Sequence, residues 1–245
     1  ASINGTQIGG RRNLINNGAM NIAQRGTSAT TNGFGTVDRF RTYYQGNDNS
    51  LTQAQVDVAS GTTPYTLGFR KAFKLTNGNQ TGGAGAADAI QIQTSLEAQD
   101  IANSGWNYTS SSSFVTLSFW IKSSVAQNFY FYLRTNDGTG QRYTFETGSL
   151  SVDAWTKITK TIPGNSNIQI DNDNGNGLQI FFVAFYGTDF TDSGVTLNQW
   201  ATYASGTRMP DNTSTWYTTN NATLELTGVQ LEIGSVATPF EPVSY

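Results

Sequence analysis

This chain of 245 residues contains no cysteine and no histidine. Without cysteine it has no disulfide and no thiol chemistry, so a core of ordinary side chains has to stabilise the fold. Without histidine the Ser-His-Asp triad, the Cys-His pair and His-based zinc sites are all excluded. Two carboxylates are the remaining route to hydrolysis, but the spacing of Glu97, Asp100, Glu146 and Asp153 pairs none of them. We therefore predict that the protein is not an enzyme.

Charged residues are also scarce, at 13% of the chain with a net charge of −3. The densest basic cluster is Arg11-Arg12, and no positive stripe suited to a nucleic-acid backbone exists. The longest apolar run, residues 178–186, has the length of a strand and is too short to cross a bilayer. The sequence therefore predicts neither nucleic-acid binding nor membrane insertion.

Alternation of apolar and polar residues is the dominant pattern of the chain, and it predicts β-strands. The predicted strands are residues 38–44, 69–75, 90–96, 115–121, 129–133, 142–147, 155–162, 178–186 and 224–233. Asn136-Asp137-Gly138 is the strongest hairpin signal. Residues 178–186 are apolar on both faces and should form a central strand. With no convincing amphipathic helix, the pattern predicts an all-β protein, a β-sandwich.

The last predicted strand contains a break in its alternation. Leu224 and Leu226 share one face, whereas the apolar residues from Val229 onward have the opposite parity. One extra residue at Thr227-Gly228 would direct all of these side chains to the same side, which is typical of a β-bulge. We expect the strand to end at Gly234 and the tail to fold back onto the body.

The first 36 residues are rich in glycine and asparagine and contain only a modest apolar cluster. We interpret residues 1–36 as an N-terminal connector or attachment segment, which could instead pack along the body as an edge. Residues 37–245 are then the β-sandwich domain. Residues 197–210 are irregular in pattern and are predicted to form a long loop.

Both ends of the chain resemble a known family. Residues 224–241, which include Val229-Gln-Leu-Glu and Ala237-Thr-Pro-Phe-Glu, are similar to the closing strand of β-sandwich modules in bacteriophage virion and tail-fibre proteins. Residues 12–28 and 38–40 resemble the opening of the same proteins. The resemblance implies a non-catalytic virion appendage that recognises host cell-surface polysaccharide. It also implies location in the virion, contact with other virion proteins and a homotrimer.

A second, weaker resemblance is to carbohydrate-binding modules. Residues 114–122 and 153–160 are similar to two strands of those modules, which implies a jelly-roll β-sandwich. Many such modules hold a structural calcium ion with an Asp of the final strand. The corresponding residues 225–229 include no Asp, so we expect no cofactor.

Weakly bound calcium is the one exception that the sequence leaves open, at Asp171 and Asp173. These residues resemble the start of a calcium loop, but Phe182 stands where an EF-hand requires Glu. A polar turn is the favoured interpretation.

Glycan binding requires flat aromatic faces for sugar rings and planar polar groups for hydroxyls. Aromatic residues in a polar, loop-like context are the best candidates, although a place in the core is the more common role of any single one. The candidates are Trp106, Tyr108, Trp200, Tyr203, Trp216 and Tyr217.

Three other functions remain open on the sequence. A purely structural virion component (a capsid decoration, head fibre or baseplate protein) would show a large apolar patch and no open aromatic groove. A free carbohydrate-binding module would be a monomer with one clear aromatic cleft. A glycan depolymerase would need two carboxylates that face each other across a groove.

Overall fold

The computed structural model describes residues 12–242 and, before them, two short paired strands, β1 (Ser2–Ile3) and β2 (Thr6–Gln7). The strands that follow are β3 (Ser28–Ala29), β4 (Phe40–Gln45), β5 (Thr52–Asp57), β6 (Lys71–Thr76), β7 (Ala89–Glu97), β8 (Phe114–Ser123), β9 (Asn128–Thr135), β10 (Gln141–Ser149), β11 (Thr156–Pro163), β12 (Asn176–Tyr186), β13 (Trp200–Thr202) and β14 (Thr223–Ile233). The described helices are α1 (Thr63–Thr66), α2 (Ala98–Ala102) and α3 (Thr215–Thr218). None of the helices in the described ranges has the length and apolar character needed to cross a membrane.

The protein is an all-β, jelly-roll β-sandwich of two six-stranded antiparallel sheets. The first sheet has the order β13-β10-β9-β12-β7-β4, and the second has the order β11-β8-β14-β6-β5-β3. Strands that are neighbours in space are mostly distant in sequence, so both sheets depend on long-range pairing.

Aromatic rings join the two sheets in the core. Phe119 of β8 in the second sheet lies 5.1 Å from Phe182 of β12 and 5.8 Å from Phe131 of β9, measured between ring centroids. All three are fully buried. Side chains alternate between the two faces of a strand, so the residues next to these phenylalanines point away from the core.

Several predictions from the sequence are confirmed. The Asn136-Asp137-Gly138 turn joins the antiparallel neighbours β9 and β10. Strand β12 is central, between β9 and β7. The pairing of β14 with β8 shifts register between Thr227 and Gln230, and Gly228 has φ +63°, as a bulge requires.

In the two six-stranded sheets, three strands lie where the alternation predicted none. Strands β3 and β5 form one margin of the second sheet, and β13 forms one edge of the first sheet, inside the predicted loop 197–210. Strands β3 and β13 have only two and three residues, too few for a period-2 pattern to be recognisable. Pairing with a neighbour, rather than local sequence, defines them as strands.

Residues 12–36 pack along the sandwich. Strand β14 is paired with β6 only up to Leu226, before the bulge. Beyond the bulge the N-terminal segment occupies the vacated edge: Leu14 N–H donates to the Leu231 carbonyl (2.8 Å), and Val229 N–H donates to the Gly18 carbonyl (2.9 Å). Ile15 and Met20 are buried in the core. Residues 12–36 therefore lie along the edge of the sandwich, and the division of the chain at residue 36 stays a prediction.

Arg12 and Glu241, near the two limits of the described range 12–242, meet at this edge. Arg12 forms an ion pair of 2.6 Å with Glu241, and Glu241 N–H donates to Gln230 Oε1 at 2.7 Å. The Asn13 side chain accepts from the N–H groups of Ile15 and Leu231. The tail folds back as predicted, with the ring of Phe240 4.9 Å from that of Phe69. The two segments that resemble the phage family, residues 12–28 and 224–241, therefore contact each other.

Replacing Asn13 with alanine should lower the free energy of unfolding by about 2 kcal/mol, because the substitution leaves buried N–H groups without an acceptor. Asn13 itself is fully buried. Denaturant unfolding of the variant measures the loss. Asn107→Ala, at an exposed position, is the control and should change stability by less than about 0.5 kcal/mol. Equal stability of the two variants would contradict this role of Asn13.

Candidate functional site

A groove with a volume of about 290 Å³ crosses the outer face of the first sheet. Its floor is built from residues that are direct neighbours across the strands. One row runs over β9, β12, β7 and β4 and consists of Tyr132, Phe181, Gln93 and Arg41. These positions alternate with core residues, so the β pleat directs their side chains away from the core.

Glutamine side chains form a hydrogen-bonded chain along the floor. Gln91 Nε2 donates to Gln93 Oε1 (3.3 Å), and Gln93 Nε2 donates to Ser95 Oγ (3.4 Å). Gln179 on the neighbouring strand also donates to Ser95 Oγ, at 3.1 Å. A primary amide has two donors and an acceptor with two lone pairs, so these bonds leave hydrogen-bonding capacity for a ligand.

Aromatic rings form the rest of the floor and one wall. The rings of Tyr132 and Phe181 are stacked, with centroids 4.4 Å apart and planes 6° from parallel. Phe190 and Tyr203, from the loops beside β12 and β13, are partly buried and line the groove. Tyr43 of β4 lines it as well. The groove therefore combines ring faces with neutral amides.

Tyr132 of the groove lining and Tyr186, which hydrogen-bonds to it, are both held in the neutral form. Burial raises the pKa of Tyr132 well above its usual value, and the adjacent Tyr186 raises it further. Burial also raises the pKa of Tyr186. Their hydroxyl groups lie 3.1 Å apart, and Tyr186 donates a hydrogen bond to Gln91 Oε1. Both tyrosines therefore act as neutral hydrogen-bonding groups at ordinary pH.

These raised pKa values predict alkaline destabilisation. The folded state holds the two protons more tightly than the unfolded state, so their contribution to stability is complete below the unfolded pKa of about 10 and is lost as the pH rises above it. Denaturant unfolding at increasing pH should show this loss, and the double variant Tyr132→Phe, Tyr186→Phe should flatten the profile. The mechanism is contradicted if the absorbance of tyrosinate shows both groups ionising at their usual pKa in the folded protein.

Three arginines line the same groove. The guanidinium carbon of Arg134 lies 3.8 Å from the ring centroid of Tyr203. That of Arg208 lies 4.5 Å from the Phe190 centroid and 6.0 Å from the Tyr203 centroid. Arg41 is at the opposite side, 5.9 Å from the Tyr43 centroid. The described lining of the groove contains no Asp and no Glu.

The six aromatic residues predicted from the sequence are dispersed. Tyr203 is the one that lines the groove. Trp106, Trp216 and Tyr217 are only 3%, 0% and 1% exposed, so protein atoms cover their rings. The Trp216 indole N–H donates to the Thr223 carbonyl (3.0 Å), and the Tyr217 hydroxyl donates to Asp88 (2.8 Å).

The remaining two candidates, Tyr108 and Trp200, are partly buried against the core. Trp200 donates from its indole N–H to the Pro163 carbonyl at 2.6 Å. Tyr108 lies 6.2 Å from Trp106, measured between ring centroids. Contact of these rings with a glycan stays a prediction.

The loop considered for calcium holds internal hydrogen bonds. Asp173 Oδ1 accepts from the Gly175 N–H at 2.9 Å, and the Asp171 N–H donates to Asp137 Oδ2 at 2.9 Å. Within the described ranges, no group of three or more His, Cys, Asp or Glu side chains is placed to hold a metal ion.

A second hollow, of about 430 Å³, lies on the outer face of the second sheet. Its lining includes Trp120, Phe69 and Phe240, which also form a small hydrophobic cluster. The C-terminal tail closes this hollow through the Phe69–Phe240 contact. We interpret it as the seam between the tail and the sheet, and the groove on the first sheet as the functional site.

The prediction from the sequence missed most of the groove residues because it considered only aromatic residues in a loop-like context. The signal was present on the strands: outward positions that ordinarily carry Ser, Thr or Lys hold Gln91, Gln93, Gln179, Tyr132 and Arg134. Their strands are far apart in the chain, so the pairing of β4, β7, β12 and β9 was needed to assemble them.

No protein-family model matches the chain, and no curated protein matches its sequence significantly. Among solved structures, the enzymatically active domain of tailspike protein 4 from bacteriophage CBA120 is similar at 11% identity and a TM-score of 0.45. The match covers 90% of this chain and 21% of that one, so the chain spans about a fifth of the tailspike domain.

Two carbohydrate-binding domains are similar over almost their whole length. One is the N-terminal cellulose-binding domain of a Cellulomonas fimi β-1,4-glucanase, with 13% identity, a TM-score of 0.39 and coverage of 89% of this chain and 99% of that one. The other is the family 11 module of a cellulosomal cellulase from Clostridium thermocellum, with 14% identity, a TM-score of 0.37 and coverage of 86% and 96%. These similarities are distant and assign no role to individual residues of this chain.

Proposed function

We propose that the protein is a non-catalytic glycan-binding domain that holds its ligand in the groove on the first sheet. The observation that carries the proposal is the composition of that groove, in which the partly exposed rings of Tyr43, Phe190 and Tyr203, the glutamine amides and the guanidinium groups line one surface. Ring faces suit the apolar side of a sugar, and amides suit its hydroxyl groups.

The absence of carboxylates from the described lining supports the non-catalytic part of the proposal. Hydrolysis of a glycosidic bond by the usual route uses two carboxyl groups that face each other across the ligand. The rigid location of the groove on a sheet, rather than on loops, also favours recognition of a ligand in a fixed orientation.

The cellular context that we propose is the virion. The terminal strings that resemble phage virion and tail-fibre proteins support it, and their mutual contact around Glu241 gives them a structural role. The domain would then be part of a homotrimeric appendage that attaches the particle to host polysaccharide. Three weak sites on one particle would act together through avidity.

Hydrogen exchange with and without a glycan tests where the ligand binds. A panel of bacterial and plant polysaccharides first identifies a ligand of the wild-type domain. We then expect protection of the amides in β9, β12, β7 and β4. Protection centred instead on the loops that contain Trp106 or Trp216 would move the site to the residues that the sequence suggested.

The solution mass and the binding result together test the wider proposal. A trimer that binds glycans agrees with a host-attachment appendage, and a monomer that binds them agrees with a free carbohydrate-binding module. An assembly that binds no polysaccharide at all would contradict glycan recognition and favour a purely structural virion component.

A further inference from the structure

We propose that the glycan held in this groove is anionic, and that Arg134 and Arg208 bind its negative group, with Arg41 at the opposite side. The inference rests on the proposed function and names the chemical class of its ligand. A carboxylate, as in uronic acids, is the acidic group most suited to a guanidinium, because the two planar groups form paired hydrogen bonds.

The first observation is that these three arginines lack a protein counter-charge. In the described ranges the ion pairs use Arg12, Arg25, Lys71, Lys74 and Lys122, all outside the groove. What distinguishes these three arginines is that they line one groove whose described lining contains no carboxylate. A ligand anion would bind them without breaking an existing ion pair.

The second observation is a like-charge contact that the fold tolerates at the same place. Arg142 of β10 is the direct cross-strand partner of Arg134. Like charges directly opposite each other in a sheet are destabilising. Arg142 is also buried, and burial lowers its pKa. An anion bound at Arg134 would offset this repulsion.

The third observation is how the guanidinium groups are held. Arg134 lies on the ring of Tyr203, and Arg208 lies on that of Phe190. The Nε atoms of Arg134 and Arg208 are buried and have no hydrogen-bond partner among the described residues. A ring beneath a guanidinium fixes its position but accepts no conventional in-plane hydrogen bond from it, so donors remain for a ligand.

A glycan fits the groove better than a nucleic acid does. Single-stranded nucleic acid needs a positive groove that follows many phosphates, together with a series of stacking rings. Here the positive groups flank a floor of neutral amides, Gln91, Gln93 and Gln179. Neutral amides suit hydroxyl groups, and three cations suit an occasional charge along a sugar chain.

Binding to matched pairs of polysaccharides tests the inference. The probes are polygalacturonate and hyaluronate, each with its carboxyl-reduced form, in which the backbone is unchanged and the charge is removed. Sulfated dextran with dextran represents the other source of negative charge, and a single-stranded oligothymidine represents nucleic acid. A set of neutral β-glucans and galactans completes the panel.

We expect an acidic polysaccharide of the panel to bind. Removal of its charge should weaken binding about tenfold or more, and so should the double variant Arg134→Gln, Arg208→Gln. Added salt should weaken the wild-type interaction. Arg70→Gln is the matched control: Arg70 also lies on a tyrosine, 4.0 Å from the Tyr65 centroid, but outside the groove. Its binding should equal that of the wild type.

The other outcomes separate the inference from the proposed function. Preference for sulfated dextran over both carboxylated polymers keeps the anionic site and assigns the charge to sulfate. Binding to neutral glycans that is unaffected by the arginine variants overturns the anionic assignment and leaves glycan recognition intact. Binding to oligothymidine above every glycan overturns the inference, and binding to no glycan contradicts the proposed function itself.

Discussion

Replacing Gly18 with alanine is expected to lower the free energy of unfolding by about 3 kcal/mol, which corresponds to a fall of roughly 10 °C in the melting temperature. A Cβ atom on Gly18 would lie 1.9 Å from the carbonyl oxygen of Val229. Both atoms belong to the main chain or are fixed to it, so no side-chain rotation relieves the overlap. The hydrogen bond from Val229 N–H to the Gly18 carbonyl would lengthen as the two segments separate.

Gly206→Ala is the matched control for this substitution. A Cβ at Gly206 would lie 3.6 Å from the Asp189 carbonyl oxygen, an ordinary contact distance. Thermal unfolding of both variants should separate them clearly. If Gly18→Ala has the same melting temperature as the wild type, the N-terminal segment does not pack on the bulge of β14 in solution.

Replacing Tyr203 with alanine is expected to weaken glycan binding about 30-fold, equivalent to a loss of roughly 2 kcal/mol. The ring forms part of the groove wall and supports the guanidinium of Arg134 at 3.8 Å. Removing the ring takes away a stacking surface for the ligand. It also leaves the Arg134 guanidinium, which binds the charged group of the ligand, without its support. The dissociation constant for a bound polysaccharide, measured by calorimetry, reports the change.

Tyr65→Ala removes a comparable arginine-stacked ring, in α1 and outside the groove, and provides the control. It should leave the dissociation constant unchanged. Because Tyr203 is partly exposed near a sheet edge, its variant should remain folded, and circular dichroism checks this. Unchanged binding by a folded Tyr203→Ala protein would exclude the groove wall from the site.

The alternation of apolar and polar residues specifies several local features of this protein independently of how its strands pair. The parity switch between Leu226 and Val229 located the bulge of β14, and Asn136-Asp137-Gly138 located the hairpin of β9 and β10. These features are local: a strand's two faces and a tight turn are specified by neighbouring residues. The scarcity of charge and the lack of histidine likewise restricted the chemistry without reference to the fold.

The location of the groove depends on contacts between residues that are far apart in the sequence. The aromatic residues of polar loops were the natural candidates, yet Trp106 and Trp216 are buried, since loops of a jelly roll can fold over the ends of its core. The tertiary structure alone places Gln93 beside Phe181, and Arg134 beside Tyr203, because those pairs join strands and loops separated by tens of residues.

The sequence by itself determined the class of fold, the strands with clear alternation and the exclusion of chemistry that needs histidine or cysteine. Only the tertiary structure decided which outward faces meet, that residues 12–18 complete the edge of β14, and that three arginines line one groove without a counter-charge. The physical reason is that periodicity fixes the direction of each side chain relative to its own strand, whereas a binding surface depends on which strands pair.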